Sequence, residues 1–134
     1  MVREAALMAV IAGGAGAAAG AHHSIAGIYD SSKPVSLQGT VAAFLFVNPH
    51  PFVEIDVPAP GGMPQRWRLE LDNRFELTNA GMTADTLKPG DRVAVTGSAA
   101  RDGSRSAYVR RLQRSDGFLY EQVGSSPRVR MPGR

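Results

Sequence analysis

The 134-residue chain predicts an all-β fold, a small five-stranded barrel with one short helix between strands 3 and 4. Three observations predict it. Short stretches in which apolar and polar residues alternate, the period-2 signature of a half-buried strand, recur through the middle of the chain. Clusters of proline and glycine separate them as turns. Only one place, around Asn73, carries both a helix start and a helix stop, and the segment between them is short.

Residues 1–21 read as a signal peptide. Arg3 gives a basic start, Ala5–Ala12 a short apolar stretch, and Ala19-Gly20-Ala21 the small-x-small pattern that signal peptidase cuts. The apolar stretch falls well below the ~20 residues that span a bilayer, so cleavage is favoured over retention as an anchor. Removing 21 residues leaves 113, enough for one domain with one core and no stable membrane insertion. The expected location is periplasmic or secreted. The chain has no cysteine, so burial rather than disulfides must hold an exported fold, and thiolate metal sites and cysteine nucleophiles are excluded.

Residues 22–34 carry no sustained period and read as an extended N-terminal arm. The expected barrel domain covers 35–117. In its first strand, Val35–Val47, Val35, Leu37 and Val41 alternate with Ser36, Gln38 and Thr40, after which both faces turn apolar, and Gly39 marks a bend. Pro49 and Pro51 stop the ladder because neither has an N–H to donate. Two strands then flank the turn around Gly61. Val53, Ile55 and Val57 face one way on the first; Trp67, Leu69 and Leu71 face inward on the second. Folding about Gly61 sets Val53 opposite Leu69 and Ile55 opposite Trp67. The same register sets Glu54 opposite Arg68 and Asp56 opposite Arg66. Asn73 or Asp72 caps a helix that runs through Ala80, with Glu76 completing a capping box and Gly81 as the stop. After the turn Leu87–Asp91 come the strand Arg92–Ala99 and, past Asp102-Gly103, the strand Ser106–Gln113. There Val109 and Leu112 are out of phase, which predicts a bulge. Strand, strand, strand, helix, strand, strand is the order of an OB-fold barrel. Residues 118–134, rich in Ser, Pro, Gly and Arg, read as a flexible C-terminal tail.

Several of these residues together carry a family resemblance. Ala21-His22-His23-Ser24-Ile25-Ala26 with Tyr29-Asp30, Lys33-Pro34-Val35, Gly39-Thr40-Val41, Asn48-Pro49-His50, Trp67, Glu70, Leu87-Lys88-Pro89-Gly90-Asp91 and Asp102-Gly103-Ser104 resemble the DUF6152 family of small exported bacterial proteins of unknown function. The chain departs from the family pattern where Gly81-Met82 stands in place of a Gly-Trp pair. The resemblance implies export and an OB-like barrel; it implies no activity.

Cleavage after Ala21 would start the protein with His22 and His23, two of its three histidines; the third, His50, lies between two prolines. An N-terminal histidine offers its amine and ring nitrogen to one ion, and late first-row metals bind nitrogen donors in an order that peaks at copper. His22, His23 and His50 are therefore the candidate metal ligands, with copper expected and zinc the alternative. A residue before proline is held extended, which stiffens His50 before a ligand arrives. The competing reading makes His50 a turn residue whose ring bonds a neighbouring carbonyl, and the paired histidines a polar chain start.

No catalytic constellation appears. His23-Ser24 adjacency is not a triad, and Glu54, Asp56 and Glu70 read as partners of Arg66 and Arg68. No Gly-rich phosphate loop or other organic-cofactor signature is present. From Arg101 onward eight arginines face three acidic residues, yet export and the scarcity of surface aromatics argue against nucleic acid. The functional alternatives are a metal-binding or delivery module and a non-catalytic adaptor for another exported protein, with the Arg105–Arg114 strand and Phe44 and Phe46 as its contacts.

Overall fold

The computed structural model describes residues 24–133. It is mostly β. A single turn of helix, α1 (Ile25–Ile28), leads into β1 (Tyr29–Leu45), followed by β2 (Phe52–Val57) and β3 (Gln65–Glu70). Helix α2 (Arg74–Asn79) precedes β4 (Arg92–Ala100), β5 (Ser106–Arg114), β6 (Leu119–Val123) and β7 (Ser126–Arg130). All seven strands join one sheet in the order β3-β2-β1-β4-β5-β6-β7, and β3 also pairs with β5 in parallel. Among the described residues no helix is long and apolar enough to cross a membrane.

The β2–β3 hairpin has the register its sequence predicts. Val53 lies opposite Leu69 and Ile55 opposite Trp67, with Glu54 opposite Arg68 and Asp56 opposite Arg66. Val53, Ile55 and Leu69 are fully buried, and each such side chain contributes about 1.5–3 kcal/mol. The charge pairing is only half as expected. Arg66 holds Asp56 at 2.6 Å and also reaches Glu54 at 3.3 Å. Arg68 instead lays its guanidinium over the Phe52 ring, 3.6 Å from the centroid, because the right-handed strand twist brings that ring beneath it.

Strand β1 is long and bent. It pairs with β4 over Tyr29–Thr40 and with β2 over Thr40–Leu45. At Gly39 the backbones of β1 and β2 approach so closely that a Cβ would stand 2.6 Å from the Asp56 carbonyl oxygen. Ala42 is extra in the ladder just beyond. The arm expected over 22–34 is therefore replaced from Tyr29 onward by paired strand. Residues Ser31–Lys33 loop out between the Asp30–Ala99 and Pro34–Ser98 pairs, and Asp30 gathers both the N–H and the hydroxyl of Ser32.

The bulge expected in the strand Ser106–Gln113 is present. Thr96 faces Arg111 and Gly97 faces Val109, so Arg110 is the extra residue of β5. The helix is capped by Asn73, whose side chain accepts the Glu76 N–H. It stops through the paired bonds Gly81 N–H to Thr78 and Met82 N–H to Leu77, the Schellman arrangement. Met82 and Leu77 are both buried, so the methionine at this departure from the family pattern is a core residue.

The chain departs from the five-strand expectation at its C-terminal end. Residues 118–134, read as a flexible tail, supply β6 and β7 instead. Phe118 and Tyr120 are almost fully buried, and along β7 Pro127 and Val129 alternate with exposed Ser126, Arg128 and Arg130. The polar composition of an edge strand hides this alternation, and Pro127 is tolerated because β7 has only one neighbour.

Candidate functional site

His50 is positioned by its flanking prolines, which lack N–H donors yet use their carbonyls. Pro49 accepts the Arg74 N–H at 3.0 Å and Pro51 the Leu71 N–H at 2.9 Å, tying the loop to the start of α2 and the end of β3. The imidazole Nδ1 lies 2.8 Å from the Leu71 carbonyl oxygen. A carbonyl only accepts, so Nδ1 carries a hydrogen, and in the neutral ring this tautomer leaves the lone pair on Nε2. Glu70 stands behind the ring, with Oε1 3.5 Å from Nδ1. Its other oxygen, Oε2, accepts the Tyr29 hydroxyl at 2.5 Å. Glu70 thus serves His50 and Tyr29 rather than the arginines its sequence context suggests. Glu70 shares its face of β3 with Arg66 and Arg68, but it is half-buried at the strand's end where they are exposed.

A second polar cluster lies beside this one. Asp72, 7 % exposed, accepts the Asn73 N–H at 2.6 Å and the Gln122 amide at 2.6 Å. The same Gln122 nitrogen is 3.0 Å from the Tyr108 hydroxyl and 2.9 Å from that of Tyr120. Tyr29 and Tyr108 pack ring to ring with centroids 5.9 Å apart. Burial first, and then the bond to Glu70, pushes the Tyr29 phenol far above its ordinary value. Burial and the Asp72 charge do the same for Tyr108, and burial followed by neighbouring Tyr108 for Tyr120. All three phenols are held neutral, as donors or acceptors rather than anions. Among the described residues no buried side-chain nitrogen or oxygen lacks a partner.

Tyr29, Tyr108 and Gln122 line a cavity of about 290 Å³ whose other walls come from Ile25, Ser98 and Arg110. Sequence reasoning gives no site role to Tyr29 or Gln122, and it includes Arg110 only within the Arg105–Arg114 contact strand. The phase break at Val109–Leu112 is the one signal that points to Arg110, because a bulge re-aims the residue it inserts.

Of the expected metal ligands, His22 and His23 lie outside the described residues, and His50 sits beside Glu70. No group of three His, Cys, Asp or Glu side chains converges among the described residues. The expected adaptor contacts are placed differently from one another. Phe44 and Phe46 are partly buried and pack against the core. Strand β5 has neighbours in β4, β3 and β6, while Arg110 and Arg111 are exposed on it.

The chain matches the DUF6152 family of unknown function over residues 9–109, a span that holds Tyr29, His50 and Glu70 and ends within β5. No curated protein and no solved structure matches it.

Proposed function

Because the chain belongs to the DUF6152 family, which carries no assigned activity, its role must be argued from its own site, and we propose that it is an exported metal-binding or delivery module. In this reading β1 to β5 form a small OB-like barrel. The ring of pairings β1–β2–β3–β5–β4–β1 supports it, since each strand then has two neighbours within the set. The β6–β7 hairpin adds to β5 where β3 has left it, covering one end with Phe118 and Tyr120.

The metal is copper before zinc, bound by His50 Nε2 together with the amine and imidazoles of an N-terminus beginning at His22 and His23. One observation carries the reading: His50 gives its Nδ1 hydrogen to a backbone carbonyl with a carboxylate behind it. Metal-bound histidines have that arrangement, which orients the ring and leaves the other nitrogen for the ion. The turn-residue alternative explains the Leu71 bond equally well, but it gives no role to Glu70 behind the ring. The bond from Tyr29 to Glu70 adds support, because it ties down the chain six residues after His23.

The test is titration with Cu²⁺ and with Zn²⁺ of untagged protein, exported and processed by its host, with its first residue identified by mass spectrometry. One equivalent of copper is expected, with affinity at least tenfold weaker in His50→Ala. Equal stoichiometry and affinity in that variant, or a mature start beyond His23, would remove the proposal.

A further inference from the structure

Two irregularities in the sheet open onto one cavity. The Ser31–Lys33 loop-out of β1 and the Arg110 bulge of β5 both border the space of about 290 Å³ that Tyr29 and Tyr108 line. The bulge is built in by its neighbour: a Cβ at residue 97 would strike the Tyr108 carbonyl, so only glycine accepts this strand opposite it. Bulges of this kind redirect a side chain. Here the redirected side chain is Arg110, whose guanidinium lies 5.5 Å from the Tyr108 ring centroid, with Nε 3.5 Å from the Ser98 hydroxyl.

The charges around the cavity are unequal. Arg101 borders it but is paired with Asp30 at 3.4 Å, and its Nε donates to the Ala26 carbonyl, pinning α1 as a wall. Arg110 makes no ion pair among the described residues. The two nearby carboxylates are engaged behind the lining, Glu70 by Tyr29 and Asp72 by Gln122. The Tyr29 hydroxyl donates to Glu70, and the Tyr108 hydroxyl accepts the Gln122 amide. An incoming molecule therefore meets aromatic carbon and the Ile25 side chain, the hydroxyls of Ser31 and Ser125, and one guanidinium outside any ion pair.

We infer that this cavity binds a small organic monocarboxylate, with the carboxylate on Arg110 and the apolar body against Tyr108 and Ile25. A planar guanidinium presents two parallel N–H donors that fit a carboxylate, and the aromatic face beside it suits the acid's apolar body. The volume stands at the lower limit of small-molecule sites, about 300–1,000 Å³, which restricts the ligand to a compact acid. The inference is independent of the metal reading.

The probe is sodium benzoate, titrated into the isotope-labelled, host-processed protein after metal removal on chelating resin, with backbone amide shifts as the readout. Saturable shifts centred on Ser98, Arg110 and Gln122, with Kd of about 1 mM or tighter, are expected for a ligand of that size. Arg110→Gln weakens binding at least tenfold. Arg110 is exposed, so that variant keeps its fold, which its amide dispersion verifies. Sodium sulfate at matched ionic strength distinguishes an organic acid from a bare anion. Absence of saturation overturns the inference, as does sulfate binding equal to benzoate. Shifts centred instead on the larger cavity of about 650 Å³ lined by Arg92, Arg114 and Arg130 also overturn it, with or without the Arg110 variant.

Discussion

Tyr29 and His50 are joined through the two oxygens of one carboxylate: Glu70 takes the phenol of one at 2.5 Å and faces the imidazole of the other at 3.5 Å. The two residues stand at opposite ends of the 17-residue β1 and the loop that follows it, and β1 alone would run roughly 55 Å if it were straight. The bend at Gly39 and the extra residue Ala42 bring them together. Losing the phenol leaves Glu70 without its shortest bond, and bonds to charged groups contribute about 1.5–3 kcal/mol. Tyr29→Phe should lower stability in urea by about 1–3 kcal/mol. In Glu70→Gln the same change should cost less, so the double-mutant cycle should give a coupling of about 1 kcal/mol. Additive losses would disprove the link.

Gly39 is required by contact rather than by backbone angle. Its Cβ would meet the Asp56 carbonyl, a backbone atom that cannot swing aside. Gly39→Ala should destabilise by about 1–3 kcal/mol in chemical denaturation. Gly62→Ala should change stability by less than about 0.5 kcal/mol, because nothing lies within 4 Å of a Cβ there. Equal effects would show that the crossing is looser than described.

The three tyrosines make the alkaline limit of the fold predictable. Tyr29, Tyr108 and Tyr120 are the chain's only tyrosines, and burial raises all three above their ordinary value. A group whose value in the fold lies above its unfolded value of about 10 stabilises fully below that pH and loses its contribution as pH climbs toward the folded value. Tyrosinate absorbance in the near ultraviolet should therefore stay flat past pH 10 and then rise together with loss of the far-ultraviolet circular dichroism, in one transition. A gradual rise while the dichroism holds would contradict the burial of these phenols.

The helix start separates two capping groups. Asn73 accepts the Glu76 N–H, whereas the Asn73 N–H is taken by Asp72 and not by Glu76. The capping box is therefore open on one side. Asn73→Ala should cost about 1 kcal/mol of stability, within a range of 0.5–2, by thermal or urea unfolding. Glu76→Ala should cost less than half as much; a larger loss would mean that the reciprocal bond forms in solution.

Much of the fold was legible because it is local. The β2–β3 register was readable since apolar and charged residues alternate on opposite faces of one hairpin, and both patterns select the same pairing. The phase break between Val109 and Leu112 foretold the bulge, and Asn73 with Gly81 marked the ends of α2. Even within this hairpin, however, Arg68 prefers the Phe52 ring to Glu54, a choice made by twist and solvent that no alternation records. The tail was illegible for a related reason. An edge strand needs few apolar residues, so Pro127 and Val129 do not stand out against the surrounding Arg and Ser.

The candidate site divides in the same way. His50 was found from its donor chemistry and its prolines, but the groups that orient it were not. In sequence Glu70 reads as a partner of the arginines beside it, and Tyr29 as part of an extended arm. Sequence by itself determined what could be settled within one hairpin, one turn or one cap, where side-chain period and backbone hydrogen bonding act over a few residues. Only the tertiary structure decided which distant groups share a carboxylate and which arginine faces a cavity, because those contacts exist only once β1 has bent and the sheet has brought β3 against β5.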